Sequence, residues 1–228
     1  MMDIFAQALK GVGWVALLWF ILPALLLFYP ASNFIREISR HTVEIIDIIS
    51  LTVGQVVKWG LPLLVLTVAA SVFALSLFGL SWTKLFESAQ YLHAAVIMLG
   101  AAMTLLLNEH VRVDVFQSRL KRPQKALVDF IGFYIGLMPV CLLLIWSSNS
   151  FIGFSWQILE GSAESDGIRG LYLLKTLIPA FAVMMLAQGL SIALRAVMVM
   201  RELNEPKRPP HVKDLFPEAE RIGQGIGQ

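Results

Sequence analysis

Residues 59–84 read WGLPLLVLTVAASVFALSLFGLSWTK, and no charged side chain interrupts them before Lys84. An α-helix rises about 1.5 Å per residue, so roughly 20 apolar residues cross the hydrocarbon of a bilayer, about 30 Å thick. This stretch is long enough to cross. It does not alternate apolar and polar side chains as the strand of a membrane barrel would, so its backbone groups must be satisfied within a helix.

Four further runs of the same character occupy 11–35, 88–108, 130–159 and 176–194, with helices filling only part of the longer ones. The whole chain is 57% hydrophobic and 15% charged, with a mean hydropathy of +0.71. Soluble proteins average about 45 to 50% apolar and about 25% charged residues, so the expected class is an all-α membrane protein. Residues 59–200 form its four-helix transmembrane core. An additional apolar helix over 1–33 either spans the membrane or lies in the interface. The apolar part of that first run is longer than the core of a signal peptide, and no Ala-x-Ala cleavage site follows it.

The segment 34–58 differs from these runs. Ile35, Ile38, Ile45, Ile46, Ile49, Val53 and Val56 recur at roughly helical spacing, while Arg36, Glu37, Arg40, Glu44, Asp47 and Gln55 fill the remainder. That pattern suits an amphipathic helix on the cytoplasmic interface, or a helix that extends the next span. After Arg201, Pro206, Pro209, Pro210 and Pro217 interrupt any helix and Gly223, Gly225 and Gly227 follow, so 201–228 reads as a flexible tail.

Lys and Arg collect on the cytoplasmic side of a membrane protein. Arg36, Arg40 and Lys58 sit in one link, Arg112, Arg119, Lys121, Arg122 and Lys125 in another, and Arg201, Lys207, Arg208, Lys213 and Arg221 in the tail. These segments are expected to be cytoplasmic, and with them the C-terminus. Five spans would leave the N-terminus outside and four would leave it inside. On the opposite side, Glu160, Glu164 and Asp166 make one outer loop acidic.

The chain is poor in residues that carry chemistry. His41, His93, His110 and His211 are scattered, and no two stand three to five residues apart as a helical metal pair would. A two-haem cytochrome needs several histidines facing one another in the bilayer, and only His93 falls within a span, where it reads as a histidine hydrogen-bonded near the outer end of its helix. Cys141 is the single cysteine, so no disulfide can form within the chain. There is no Gly-x-x-x-x-Gly-Lys phosphate loop, no Gly-x-Ser-x-Gly elbow and no His-Glu-x-x-His strip. No catalytic residue, metal ligand or cofactor is therefore expected in this chain. Mid-span charge, which marks an ion or proton path, is almost missing. Glu109, Asp129, Lys175 and Arg195 fall at expected helix ends, where long side chains can reach the interface.

What the spans offer is packing surface. Gly132 and Gly136 form a Gly-x-x-x-Gly strip, Gly189 and Ala193 repeat the small-x-x-x-small spacing, and Ala70 with Ala74 does so more weakly. Small residues let helix backbones approach closely, and such pairs serve either the chain's own bundle or a partner helix. Pro62, Pro139 and Pro179 fall inside spans, where kinks are expected.

One charged strip stands apart, Asn108-Glu109-His110-Val111-Arg112-Val113-Asp114-Val115-Phe116, at the exit of one apolar run. On a helix His110 would neighbour Asp114, and Glu109 would neighbour Arg112. Mixed charge of this kind can hold a helix end at fixed depth and pair with a partner's side chains; an ordinary turn is the alternative. Together with Ser118-Arg119-Leu120, the strip resembles the segment after the second conserved span in the small membrane subunit, the Q subunit, of tripartite ATP-independent periplasmic (TRAP) transporters. The resemblance covers roughly residues 50–200. It includes the four-span spacing, the acidic outer loop, and Lys175-x-x-Ile178-Pro179 followed by Gln188-Gly189.

The resemblance implies a small integral subunit in a bacterial inner membrane, whose partners are a large multi-spanning membrane subunit and a periplasmic substrate-binding protein. The binding protein would deliver an organic acid, and the large subunit would carry it inward with sodium ions, which would bind in that partner and not in this chain. The small subunit would brace the fixed part of the large one. Asn108, Glu109, His110, Arg112 and Asp114 become candidate interface residues, with substrate-binding residues expected in the partner subunit. An extra apolar run before the four spans departs from the smaller members of the family. Two other classes stay open: a membrane anchor of a redox enzyme, which predicts a haem absorption band, and a stand-alone carrier, which predicts uptake by vesicles holding this chain only.

Overall fold

The computed structural model describes residues 19–30, 32–107 and 120–206. Among these residues the fold is entirely helical. A short helix α1 (Leu22–Phe28) is followed by α2 (Asn33–Val57), α3 (Gly60–Phe78), α4 (Thr83–Leu106) and α5 (Arg122–Ile131). A π-helical turn, Gly132–Leu137, then leads without a break into α6 (Met138–Gln157), and α7 (Leu171–Met200) is the last helix among the described residues.

Among the described residues, four helical stretches are long and apolar enough to cross a membrane: Asn33–Phe78, Thr83–Leu106, Arg122–Gln157 and Leu171–Met200. The class expected from sequence, an all-α membrane protein with four such segments, is what the structure has. The first stretch combines α2 and α3, which are separated only by a turn at Lys58 and Trp59. α3 alone has 19 residues, about 28 Å of helix, which matches the hydrocarbon thickness. It ends on Gly79, whose φ of +65° is left-handed, and the N–H groups of Gly79 and Leu80 bond back to Leu75 and Ala74. A residue without Cβ fits this terminating turn at no steric cost.

α7 is the axis of the bundle. Its 30 residues make about 45 Å of helix, and α1, α2, α4, α5, the π-helical turn and α6 all pack on it. α4 packs on α2 and α3 as well, whereas α3 rests mainly on α4. The larger apolar core gathers Leu26, Val43, Phe133, Leu190, Leu194 and Met198; a second surrounds Cys141, Ala182, Met185 and Leu186. Of the additional N-terminal apolar helix, only α1 and its flanks are described. They pack into the larger core through Leu26, with Phe20 stacked on Phe133 at 6.1 Å and the Tyr134 hydroxyl donating to the Phe20 carbonyl at 2.6 Å.

The expected proline kinks resolve differently at each site. Pro62 sits in the first turn of α3, where a missing N–H breaks nothing. Pro139 directly follows the π-helical turn, in which the N–H of Met138 bonds to Phe133; widening the helix there accommodates a residue that cannot continue the ladder. Pro179 lies in the interior of α7.

α2 turns its small and polar side chains towards the bundle. The sequence pattern assigns its isoleucines and valines to one face and treats Asp47 as part of the polar remainder. The structure instead buries Ser39, Thr42, Val43, Asp47, Ser50 and Gly54, and exposes Ile45, Ile48, Ile49 and Val56. Small residues allow the approach: a Cβ on Gly54 would fall 2.4 Å from the sulfur of Met103 on α4. In an apolar solvent, apolar side chains gain nothing by turning inward, so close contact and hydrogen bonding decide which face is buried.

Candidate functional site

Two polar clusters mark opposite ends of the bundle. One lies towards the C-terminal end of α7, here called the tail end; the other is built on the loop between α6 and α7, the loop end.

At the tail end, Gln188, Ser191 and Arg195 stand three and four residues apart on α7, a spacing that puts them on one face. They meet Asp47 of α2. The Ser191 hydroxyl donates to Asp47 Oδ1 at 2.7 Å and the Gln188 amide to the same oxygen at 3.2 Å. Arg195 Nη2 donates to Asp47 Oδ2, and Arg195 Nη1 to the carbonyl of Pro206. The side chains of Arg195 and Asp47 are only 3% and 6% exposed, so the pair is shielded from solvent. Gln188 Oε1 and Arg195 Nε are buried without a hydrogen-bond partner among the described residues.

This cluster ties α2, α7 and the chain that leaves α7 into one unit. The same exit segment is fixed from two further sides: Arg122 at the start of α5 donates to Glu205 at 2.6 Å, and Arg201, just after α7, donates to the Leu27 carbonyl of α1 at 2.5 Å. Two open cavities flank the knot. One of about 310 Å³ is lined by Asn33, Arg36, Glu37, Arg40 and Asn204, and one of about 180 Å³ by Arg122, Lys125, Asp129, Arg195 and Glu205.

At the loop end, carboxylates stitch the loop to the helices. Glu87 of α4 accepts from the Ser162 hydroxyl and from the Ile168 N–H, the latter at 2.6 Å. Glu160 accepts from Lys175 and from the Ser155 hydroxyl, and the Lys175 ammonium also sits 4.1 Å from the centre of the Phe151 ring. The hydrogen bonds from Lys175 and Ser155 hold the Glu160 carboxyl below its ordinary range. Lys84 pairs with Asp166 at 3.0 Å, and the Trp156 indole donates to Thr176 at 2.9 Å. Two of the three carboxylates that make this loop acidic in sequence are therefore neutralised by lysines of the bundle.

The residues singled out from sequence fall in three groups. Asn108, Glu109, His110, Arg112 and Asp114 lie outside the described residues. Gly189 and Ala193 sit at a close approach of helices: a Cβ on Gly189 would be 2.5 Å from Leu137 Cδ2 and 2.7 Å from Phe133 Cδ2, and Ala193 is fully buried. Gly132 and Gly136 lie in the π-helical turn facing outward, where an added Cβ would meet no atom within 4 Å.

Sequence reasoning missed the Asp47–Arg195 pair. Arg195 was expected to reach the interface from a helix end, but it stands more than a turn inside α7 and is buried against α2. The one available signal was that Gln188, Ser191 and Arg195 share a helical face. Nothing local indicates that Asp47, 148 residues earlier, completes it. His41 lies 3.8 Å from Glu44 on the surface of α2, His93 is exposed on α4, and no group of three metal-ligating side chains gathers among the described residues.

No curated protein matches the chain, and no solved structure does. The family described as "Tripartite ATP-independent periplasmic transporters, DctQ component" matches residues 64–202, a span that begins in α3 and takes in α4 to α7, the loop end and all four packing residues, while Asp47 of the tail-end cluster precedes it. The chain belongs to this family: it is a multi-pass membrane protein and a small component of a tripartite transporter whose other parts are a large membrane component and a periplasmic binding component.

Proposed function

We propose that the chain is a non-catalytic supporting subunit of a bacterial inner-membrane TRAP transporter. It braces the large subunit while that subunit takes up an organic acid, delivered by the periplasmic binding protein, together with sodium ions. The observation that carries this reading is where the polar side chains of the bundle are spent. Asp47, Gln188, Ser191 and Arg195 are bonded to one another across α2 and α7, which makes a rigid support and leaves those groups turned inward. By the distribution of Lys and Arg, the tail end is cytoplasmic and the loop end periplasmic. Substrate and sodium then belong to the large subunit.

The reading divides the chain into an N-terminal apolar helix at 1–33, an interfacial helix at 34–58, the four-span core at 59–200 and a cytoplasmic tail at 201–228. α2 exposes Glu37, Arg40, His41 and Glu44 first and Ile45, Ile48 and Ile49 after them, as a helix passing from water into an apolar layer would. Gly132 and Gly136 remain open to a neighbouring helix, and the strip with Asn108, Glu109, His110, Arg112 and Asp114 supplies charges for a partner. Replacing Arg112 and Asp114 together is expected to impair assembly or uptake, and unchanged assembly and uptake would remove the strip from the interface.

The reading is tested in vesicles that hold the large subunit and a sodium gradient, supplied with the binding protein and its ligand. Adding this chain should raise uptake well above that of vesicles without it, and vesicles containing this chain alone should take up nothing. Uptake by the chain alone would contradict the reading, as would full activity in its absence.

A further inference from the structure

We propose that the smaller cavity at the tail end, between α5 and α7, holds the phosphate of an anionic phospholipid, with the Lys125 ammonium as its principal donor and Arg195 at the inner wall. The site belongs to this chain alone, so the inference goes beyond the reading of the chain as a transporter subunit and does not depend on it.

Five charged side chains line the cavity: Arg122, Lys125, Asp129, Arg195 and Glu205. Most of this charge is already matched. Arg122 donates to Glu205, Arg195 divides its terminal nitrogens between Asp47 and the Pro206 carbonyl, and Asp129 has a partner of its own. Two donors are left over. One is the half-buried Lys125 ammonium, which has no hydrogen bond or ion pair among the described residues. The other is Arg195 Nε, buried and unpartnered on a side chain only 3% exposed. Both belong to cations, and an unmade hydrogen bond from a buried charged group is costly. An oxyanion answers both. The space of about 180 Å³ is on the order of ten times what a single water needs, so it takes a group of phosphate size.

The rest of the lining points to a lipid as the source of that phosphate. Ala126, Ile192, Ala196 and Val199 form the apolar part of the wall, a surface that suits the glycerol and first methylenes of a lipid and offers a free anion nothing. Depth agrees. The spanning stretch Arg122–Gln157 has 36 residues, about 54 Å of helix against about 30 Å of hydrocarbon, so with the hydrocarbon centred on it about 12 Å projects at each end. Lys125, in the first turn of α5, then stands among headgroups, where basic pockets between helices take anionic lipids. No carboxylate of the cavity is left to pair with the ammonium of a zwitterionic headgroup, which selects an anionic one. The larger cavity lacks these features: Arg36 Nε is bonded to the Pro30 carbonyl at 2.5 Å, Glu37 lines it beside Arg40, and its lining holds no buried unpartnered donor among the described residues.

The test uses the full chain, purified in detergent, stripped of lipid and titrated with phosphatidylglycerol, phosphatidylethanolamine or inorganic phosphate, with bound lipid read by native mass spectrometry. One phosphatidylglycerol per chain is expected to bind about tenfold more tightly than phosphatidylethanolamine, the size of one charge-assisted hydrogen bond, and inorganic phosphate should not displace it. K125Q should lose that preference and K125R should keep it, both chains being recovered at the parent level. R40Q removes the same charge at the same end of the bundle and should keep it too. Equal phosphatidylglycerol binding by K125Q and the parent would overturn the site, as would an equal loss in R40Q, which would mean a general attraction to positive charge. Displacement by inorganic phosphate would assign the cavity to the free anion and overturn the lipid.

Discussion

α3 and α7 are both apolar enough to cross a membrane, yet α3 buries only Ala74 while α7 buries nearly every residue from Met185 to Met198. Hydropathy does not separate them. What does is the distribution of small and polar residues: α7 carries Gln188, Gly189, Ser191, Ala193, Arg195 and Ala196 in its buried half, and the outward face of α3 carries Val65, Leu66, Val72 and Phe73. In water, apolar side chains turn inward because burial stabilises them; in lipid that drive is lost, and close approach and hydrogen bonding choose the interior.

The sharpest way to break this comparison is to strand the Asp47 charge that is buried between α2 and α7. Arg195→Met leaves Asp47 buried without its cation, and removing one partner of a buried pair costs about 3–5 kcal/mol. Thermal unfolding in detergent should show a large fall, and Asp47→Asn combined with Arg195→Met should recover much of it. An R195M protein as stable as the parent would mean that the pair is not closed. Next in size is Gly189→Leu. Its side chain would have to displace Leu137 and Phe133, and overpacking of this kind costs about 1–3 kcal/mol or more. The same change at Gly136, where nothing of this chain stands nearby, should alter the stability of the isolated subunit by less than about 0.5 kcal/mol. Equal effects at the two glycines would erase the distinction between the inner and outer packing strips. On α3, Val72→Ala should likewise stay within about 0.5 kcal/mol in the same assay.

The smallest effect expected is at the loop end. The Glu160 carboxyl is held below its ordinary range by Lys175 and Ser155, so folding favours its charged form. Its contribution is complete above the unfolded value near 4.5 and is lost as the pH falls through the lower folded value. Melting temperatures measured from neutral pH into that acid range should decline less steeply for Glu160→Gln than for the parent; identical slopes would show that this ion pair adds nothing.

The membrane class and the four apolar segments were legible in the sequence because length and lack of charge are properties of each segment alone. The seam of α7 was partly legible too, since Gly189 and Ala193 announce close approach at helical spacing. The inner face of α2 was not. Its isoleucines and valines suggested a face, but burial went to Ser39, Thr42, Asp47 and Gly54, whose value depends on what Met103, Ser191 and Arg195 offer from distant parts of the chain. A pairing made across 148 residues has no local signature. The outward faces of Gly132 and His93 were hidden for the same reason: sequence identifies a small or polar residue within a span but not which neighbour it meets.

The account rests on this chain being a supporting part of a larger membrane assembly. The most direct test is purification of the tagged chain from its native membranes in a mild detergent, followed by mass spectrometry of what remains bound. A much larger multi-spanning membrane protein in stoichiometric amount is the expected result. A chain recovered alone, or bound to a redox protein, would contradict it.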